Sequence, residues 1–176
     1  MSRMIVVEGA DGAGKSSLVA KLGRDLNRET IHAGGPPKDE KEWAERCAKF
    51  YGMSNQPVIL DRIPFISEQI YGPLYGRSSQ YRFEELTRDL VFINPVIVYC
   101  RLATPEEMFQ RIDLGMKDHK PSAHMQLVLD NHYRIVNDYD NAMRRFKFVN
   151  SLDVIRYNWF TEPYAYLLKE LDRCAA

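Results

Sequence analysis

Residues 4–18 read MIVVEGADGAGKSSL, from Met4 to Leu18, and the reading of this stretch decides the architecture. Ile5-Val6-Val7 is a short apolar run of β-formers, the pattern of a strand covered on both faces. Gly9-Ala10-Asp11-Gly12-Ala13-Gly14-Lys15-Ser16 follows at once and fits GxxxxGK(S/T) without a mismatch. Leu18, Val19, Leu22 and Leu26 then recur at helical spacing. Strand, glycine-rich turn and amphipathic helix, in that order, are what a phosphate cradle requires. Glycines let backbone N–H groups turn inward on phosphate oxygens, and the helix N-terminus adds its partial positive charge. In such a loop Lys15 reaches the β- and γ-phosphates, and the Ser16 hydroxyl is placed to ligate Mg²⁺. Gly9, Ala10, Asp11, Gly12, Ala13, Gly14, Lys15, Ser16 and Ser17 are therefore the candidate ATP-binding residues.

Working outward, short β-type runs alternate with helical stretches. Thr30-Ile31-His32 reads as a second strand that runs into the loop Gly34-Gly35-Pro36-Pro37. Trp43, Cys47, Phe50 and Tyr51 mark one face of a helix. Val58-Ile59-Leu60 is a third strand ending on Asp61, Val96 to Tyr99 a fourth, and Val154-Ile155 part of a fifth. Helices are predicted near 105–114, as one long element over 122–146, and around Leu167, Leu168 and Leu171. Apolar strands separated by helices predict an α/β fold with a central parallel sheet of about five strands, covered by helices on both faces. Ligands of such sheets gather at the carboxyl ends of the strands. With 176 residues and no repeat or long linker, the chain reads as a single domain over 1–176.

Composition narrows the function. Hydrophobic residues are 45% and charged residues 27%, a globular balance. Twenty-four Lys and Arg offset twenty-four Asp and Glu, which argues against holding nucleic acid by bulk positive charge. No apolar run approaches the roughly 20 residues of a membrane span, and no signal-peptide layout precedes the first strand. Cys47, Cys100 and Cys174 form no CxxC and no even framework, so a cytoplasmic setting with reduced thiols is expected. The four histidines, His32, His119, His124 and His132, lack metal-ligand spacing.

An apolar strand closing on an acid completes a triphosphate site, because that carboxylate can hold Mg²⁺ directly or through water. Asp61 fills this place, with Ser16 as the second candidate metal ligand, and Arg62 faces the same end of the sheet. VVEGADGAGKSSL, then a strand, then DRIPFISEQIYG, resembles the thymidylate-kinase family of nucleoside monophosphate kinases. ATPEEMFQRIDLG is similar to the helix leading into that family's lid. The resemblance implies a three-layer P-loop kinase fold with a short lid near 111–124, ATP and Mg²⁺ as cofactors, a small nucleotide substrate and a homodimer.

Carried over by position, the resemblance implies that Lys15 and the loop amides bind the donor phosphates. Ser16 and Asp61 manage Mg²⁺, Asp11 faces the acceptor and Arg62 contacts its phosphate. Ser67 and Tyr71 fall on the helix lining the acceptor pocket. Gly12 stands where some members carry an arginine; in that subclass the lid supplies the cation of the transition state. Arg111, Lys117 and Lys120 are the candidates, and Arg101 after the fourth strand is another, on the acceptor side. Phe65, next to the Asp-Arg pair, is read as part of an aromatic slot for the base, whereas Trp43 and Phe50 are read as core. The family carries an Arg-Glu-Pro-Gly-Gly type segment after its second strand. Here that segment is Ile31-His32-Ala33-Gly34-Gly35-Pro36-Pro37, without the arginine. Similar short members occur in viral genomes, and some relatives phosphorylate a hydroxymethylated uracil in DNA.

Three activities stay open at this point. A deoxynucleoside monophosphate acceptor, pyrimidine first, needs no general base because its oxygen is already anionic. A hydroxyl acceptor, on a free deoxynucleoside or a 5-hydroxymethyluracil in DNA, needs a carboxylate such as Asp61 or Asp11; a basic track for DNA would draw on Arg77, Arg82, Lys117 and Lys120. A P-loop switch without a small acceptor would need a water-positioning residue, and neither Gln56 nor Gln69 lies in a recognisable switch.

Overall fold

The structure is a computed structural model that describes residues 3–34, 37–54, 56–77, 83–101, 104, 106–107 and 122–174. Its frame is a five-stranded sheet, β1 (Ile5–Glu8), β2 (Thr30–His32), β3 (Ile59–Asp61), β4 (Val96–Cys100) and β5 (Asp153–Tyr157). The order across the sheet is β2-β3-β1-β4-β5 and every pairing is parallel. All four residues of β1 and all five of β4 are buried, as strands covered on both faces must be. β1 is central: the chain first builds outward to β2 and β3 on one side, then crosses to β4 and β5 on the other. Ligand sites in open α/β sheets lie where such a reversal opens a crevice at the carboxyl ends.

The helices are α1 (Lys15–Asp25), α2 (Glu40–Gly52), α3 (Pro64–Tyr71), α4 (Phe83–Ile93), α5 (Ala123–Asp130), α6 (His132–Phe148) and α7 (Tyr164–Arg173). Leu18, Val19 and Leu22 turn from α1 into the core, matching their spacing. Asp39 caps α2 by accepting from the Glu42 N–H at 2.8 Å, and Ser122 caps α5 by accepting from the Met125 N–H at 3.2 Å. Tyr139, Tyr157, Phe65 and Phe146 are the bulkiest fully buried side chains.

The sheet and its parallel sense agree with the sequence reading, and two elements depart from it. The single helix expected over 122–146 is two, broken at Asn131. There φ is −117° and ψ 13°, and the side-chain amide donates to the Leu127 carbonyl at 2.9 Å. A short polar side chain that satisfies the backbone locally competes with the helix, although the apolar periodicity runs straight through it. α4, which buries Leu86 and Leu90, was not anticipated. Of the helix expected over 105–114, residues 106 and 107 are described; the Glu107 N–H donates to Thr104 Oγ1 at 3.3 Å. Among the described residues no helix is long and apolar enough to cross a membrane, and all three cysteines are free thiols.

Where β1 ends, Gly9 passes so close to β4 that a Cβ on it would lie 2.3 Å from the Cys100 carbonyl oxygen, and its φ is +145°. The obstacle is backbone and cannot swing aside. Gly9→Ala is therefore expected to destabilise the protein by about 3 kcal/mol, at the severe end for a single methyl. The drop should appear in the urea midpoint with an unchanged slope; an unaltered midpoint would contradict this packing.

Candidate active site

The phosphate loop bends away from the carboxyl end of β1 and closes on itself through the Ala13 N–H, which donates to the Ala10 carbonyl at 3.3 Å. Gly14 enters α1 with φ +80°, and a Cβ there would lie 2.6 Å from Cδ1 of Trp159. Only glycine meets both demands. Lys15 is buried, its Nζ donating to the Ala10 carbonyl at 2.6 Å and standing 3.8 Å from Asp11 Oδ1. Burial, and then repulsion from Arg62, push its pKa down to about 8. Gly12, Gly14, Lys15, Ser16 and Ser17 line one side of a cavity of about 410 Å³, with His32 and Asp61 opposite.

Strand register places the acid. Asp61 pairs with Val7 of β1 and His32 of β2, so it stands between the two neighbours at the cleft end. Asp61 Oδ2 accepts from Ser16 Oγ at 3.2 Å and lies 3.0 Å from His32 Nδ1. A hydroxyl beside a carboxylate is a hard-oxygen donor set, and it fits Mg²⁺. The cavity lined by Gly12, Gly14, Lys15, Ser16 and Ser17 at the start of α1 fits a triphosphate.

Arg62 follows with φ +74°, unusual for a side chain of its size, and its N–H donates to the Val7 carbonyl at 3.0 Å. This turn swings the guanidinium over the cleft. It donates to Asp11 Oδ1, reaches Ser67 Oγ and the Tyr139 hydroxyl at 3.4 Å each, and lies 5.5 Å from the Tyr71 ring centre. The Tyr71 hydroxyl in turn accepts from the Asp11 N–H at 3.1 Å. Burial alone would raise the Asp11 carboxyl, but Arg62, then Lys15 and His124, outweigh it and hold the group below the ordinary carboxylate range. Asp11, Arg62, Ser67 and Tyr71 thus form one side of a second cavity of about 370 Å³.

The rest of that second wall was not foreseen. Glu68 accepts from Arg77 at 2.8 and 3.1 Å, and Arg77 lies over the Tyr75 ring at 4.7 Å. His124, at the start of α5, stacks on Tyr75 with centroids 6.0 Å apart and holds Nε2 3.6 Å from Asp11 Oδ2. Spacing shows Glu68 on the Ser67–Tyr71 helix, but nothing local brings residues 75, 77 and 124 to the same cavity. Arg77, one of the four residues a basic track for DNA would draw on, is paired with Glu68.

Two expected acceptor residues lie elsewhere. Phe65 is fully buried, 5.0 Å from Trp43 and 5.4 Å from Phe50 between ring centres, so it belongs to the core with them. On a helix it sits about 200° around the axis from Ser67, the opposite face. Arg101 forks onto Asp140 of α6, with Nε–Oδ1 and a terminal nitrogen–Oδ2 both 2.8 Å. β4 lies across β1 from β3, so its end opens towards α6 and away from Arg62. Arg111, Lys117 and Lys120 lie outside the described residues.

Glu8 was also missed. It ends β1 fully buried, its Oε1 accepting from the Ile63 N–H at 2.5 Å and its Oε2 from the Tyr139 hydroxyl at 3.3 Å. Burial raises its pKa to about 7, with Arg62 and the Ile63 N–H pulling the other way. The available signal was an acid continuing an apolar strand directly into a glycine loop, where an end-of-strand charge normally faces water.

No family model matches the chain, and no curated protein matches it either. Solved structures do. YorR of Bacillus subtilis, in complex with phosphorylated GDP, aligns with TM-score 0.74 at 19% identity over 98% of this chain and 95% of its own. Deoxyadenosine kinase of M. mycoides with bound dATP aligns with TM-score 0.61 at 14% identity, over 99% and 100%. A gluconokinase of Sinorhizobium meliloti aligns with TM-score 0.55 at 16%, over 99% and 92%. The chain therefore has the three-layer α/β fold of P-loop kinases.

Glu8 gives the site a pH signature. From pH 4.5 to 7 the folded protein keeps a proton that the unfolded chain has released, so stability falls as pH rises through this window. The full loss, roughly 3 kcal/mol, is reached above pH 7. Glu8→Gln keeps an oxygen for the Ile63 N–H but cannot ionise. Its denaturant midpoints should decline less than those of the parent across this window; parallel declines would place the ionisation elsewhere.

Proposed function

We propose that this chain is an ATP- and Mg²⁺-dependent phosphotransferase acting on a deoxynucleotide, with a pyrimidine deoxynucleoside monophosphate as the leading acceptor. One observation carries the reading: the phosphate-loop cavity and the aromatic cavity share a wall of Asp11, Ala33, Gly34 and Arg62, whose charged members are Asp11 and Arg62. Donor and acceptor can thus meet across a single guanidinium. The fold likeness to YorR and deoxyadenosine kinase, whose structures hold nucleotides, supports an acceptor of that class.

Phosphoryl transfer is mainly positioning and charge neutralisation. Lys15 and the loop N–H groups hold the donor phosphates. Ser16 and Asp61 would hold the metal, which when bound would supply positive charge for neutralising the donor phosphates. Arg62, fixed by Asp11, holds the acceptor's phosphate against the donor. Tyr71 offers an aromatic face and Ser67 a hydroxyl within the acceptor cavity, where a base and a sugar need such partners. Arg111 and Lys117 are the cations assigned to the closing lid. The free thiols suit a reducing, cytoplasmic setting.

A hydroxyl acceptor is the second reading: Asp11 is a carboxylate lining the second cavity, but its ion pair with Arg62 makes it a weak base for the hydroxyl proton, which ranks this reading below the first. The test is ADP release from Mg·ATP over deoxynucleoside monophosphates, free deoxynucleosides, and duplex DNA with and without hydroxymethyluracil. Turnover on a pyrimidine monophosphate is expected; turnover only on nucleosides or modified DNA would replace it with the second reading.

Two variants bear on the same assay. Lys15→Ala should lose transfer by about 10²-fold or more while keeping its fold. Arg62→Ala should lower kcat/KM for the acceptor by a similar ~10²-fold factor and leave nucleotide affinity near that of the parent. Equal losses on both substrates would remove Arg62 from the acceptor side.

A further inference from the structure

His32 closes β2 in register with Asp61 of β3, and residues paired across neighbouring strands share one face of the sheet. The backbone fixes that pairing, with the Ala33 N–H donating to the Asp61 carbonyl at 3.3 Å just beyond it. His32 Nδ1 lies 3.0 Å from Asp61 Oδ2 and Ser16 Oγ 3.2 Å from the same oxygen. An ionised carboxylate only accepts, so the imidazole donates from Nδ1. Two donors thus converge on Oδ2, and among the described residues no hydrogen bond is formed to Oδ1. The Asp61 side chain is nearly buried, at 10% exposure, whereas that of His32 is 66% exposed.

We infer that His32 is a positioning residue for the metal-binding carboxylate: it holds Asp61 in the rotamer that leaves Oδ1 free for a divalent cation or its water beside Ser16. The inference rests on the donor-site reading above and goes beyond it, because neither the phosphate-loop motif nor the Asp-Arg pair involves residue 32. A carboxylate at a strand end has two rotatable bonds. Ser16 alone cannot fix it, because a hydroxyl that turns a lone pair to a metal must keep its single proton on Asp61. The imidazole supplies a second donor whose place is set by the strand ladder. Groups that orient a metal ligand in this way are commonly worth ten- to a hundredfold in metal affinity or activity.

The test compares binding of a non-transferable β,γ-imido analogue of ATP by calorimetry, in Mg²⁺ and in EDTA, for the parent, His32→Ala and His32→Asn. Because His32 is largely exposed, both variants are expected to fold, and circular dichroism checks this. The parent should bind the analogue more tightly in Mg²⁺ than in EDTA. His32→Ala should lose about 10-fold of that Mg²⁺-dependent gain, with affinity in EDTA unchanged. His32→Asn should recover most of it, since the Asn amide nitrogen stands where the imidazole Nδ1 stands. An undiminished Mg²⁺ gain in His32→Ala overturns the inference. Equal losses in Mg²⁺ and EDTA also overturn it, because His32 would then touch the phosphates themselves. A parent without any Mg²⁺ gain would instead remove the donor-site reading on which the inference stands.

Discussion

Four ionisable side chains, Glu8, Asp11, Lys15 and Arg62, are packed together at the carboxyl ends of β1 and β3, largely out of water. A group of buried charges persists only if it is locally balanced and hydrogen-bonded. Asp11 meets it by its ion pairs with Arg62 and Lys15, and Glu8 by keeping its proton up to about pH 7 within hydrogen bonds from Ile63 and Tyr139; much of the site's shape follows from this. Arg62 accepts a left-handed backbone because its guanidinium then reaches Asp11, Ser67 and Tyr139. The Glu8 carboxyl oxygen Oε1 accepts from the next N–H, that of Ile63, and so fixes the start of α3. Lys15, crowded by Arg62, is ready for partners more negative than a carbonyl, which is what phosphate oxygens are.

That balance joins the two cavities. Asp11 belongs to the phosphate loop, yet its backbone N–H is held by Tyr71 and its carboxylate faces both Arg62 and His124. The wall of the second cavity beyond Asp11 and Arg62 is drawn largely from α3, the turn after it and the start of α5. Likeness at under 20% identity over nearly whole chains is a likeness of fold alone.

What could be read from the chain beforehand divides along the same line. The phosphate loop was legible because its chemistry is written in eight consecutive residues between a strand and a helix. Asp61 and Arg62 were legible because an apolar strand announces the position that follows it. Phe65 was misjudged by proximity to Arg62, although helical phase sets it opposite Ser67. Arg101 depended on which side of β1 the fourth strand lies, and that is a fact of topology. Glu8, Tyr75, His124 and His32 are brought in by pairings across 29 to 131 positions, which no local pattern records. Asn131 divides a helix whose apolar stripe continues unbroken.

The contact between Gly14 and Trp159 has an optical consequence. Of the chain's two tryptophans, Trp43 packs on Phe65 in the core, and Trp159 lies against the loop glycine that opens α1. Indole emission follows the polarity and electric field around the ring. Charge arriving in the loop is therefore felt at Trp159 and scarcely at Trp43. Replacing Trp43 with phenylalanine leaves Trp159 as the single tryptophan, so under excitation that selects indole over tyrosine its emission reports on charge at that loop, without a dye or a coupled reaction.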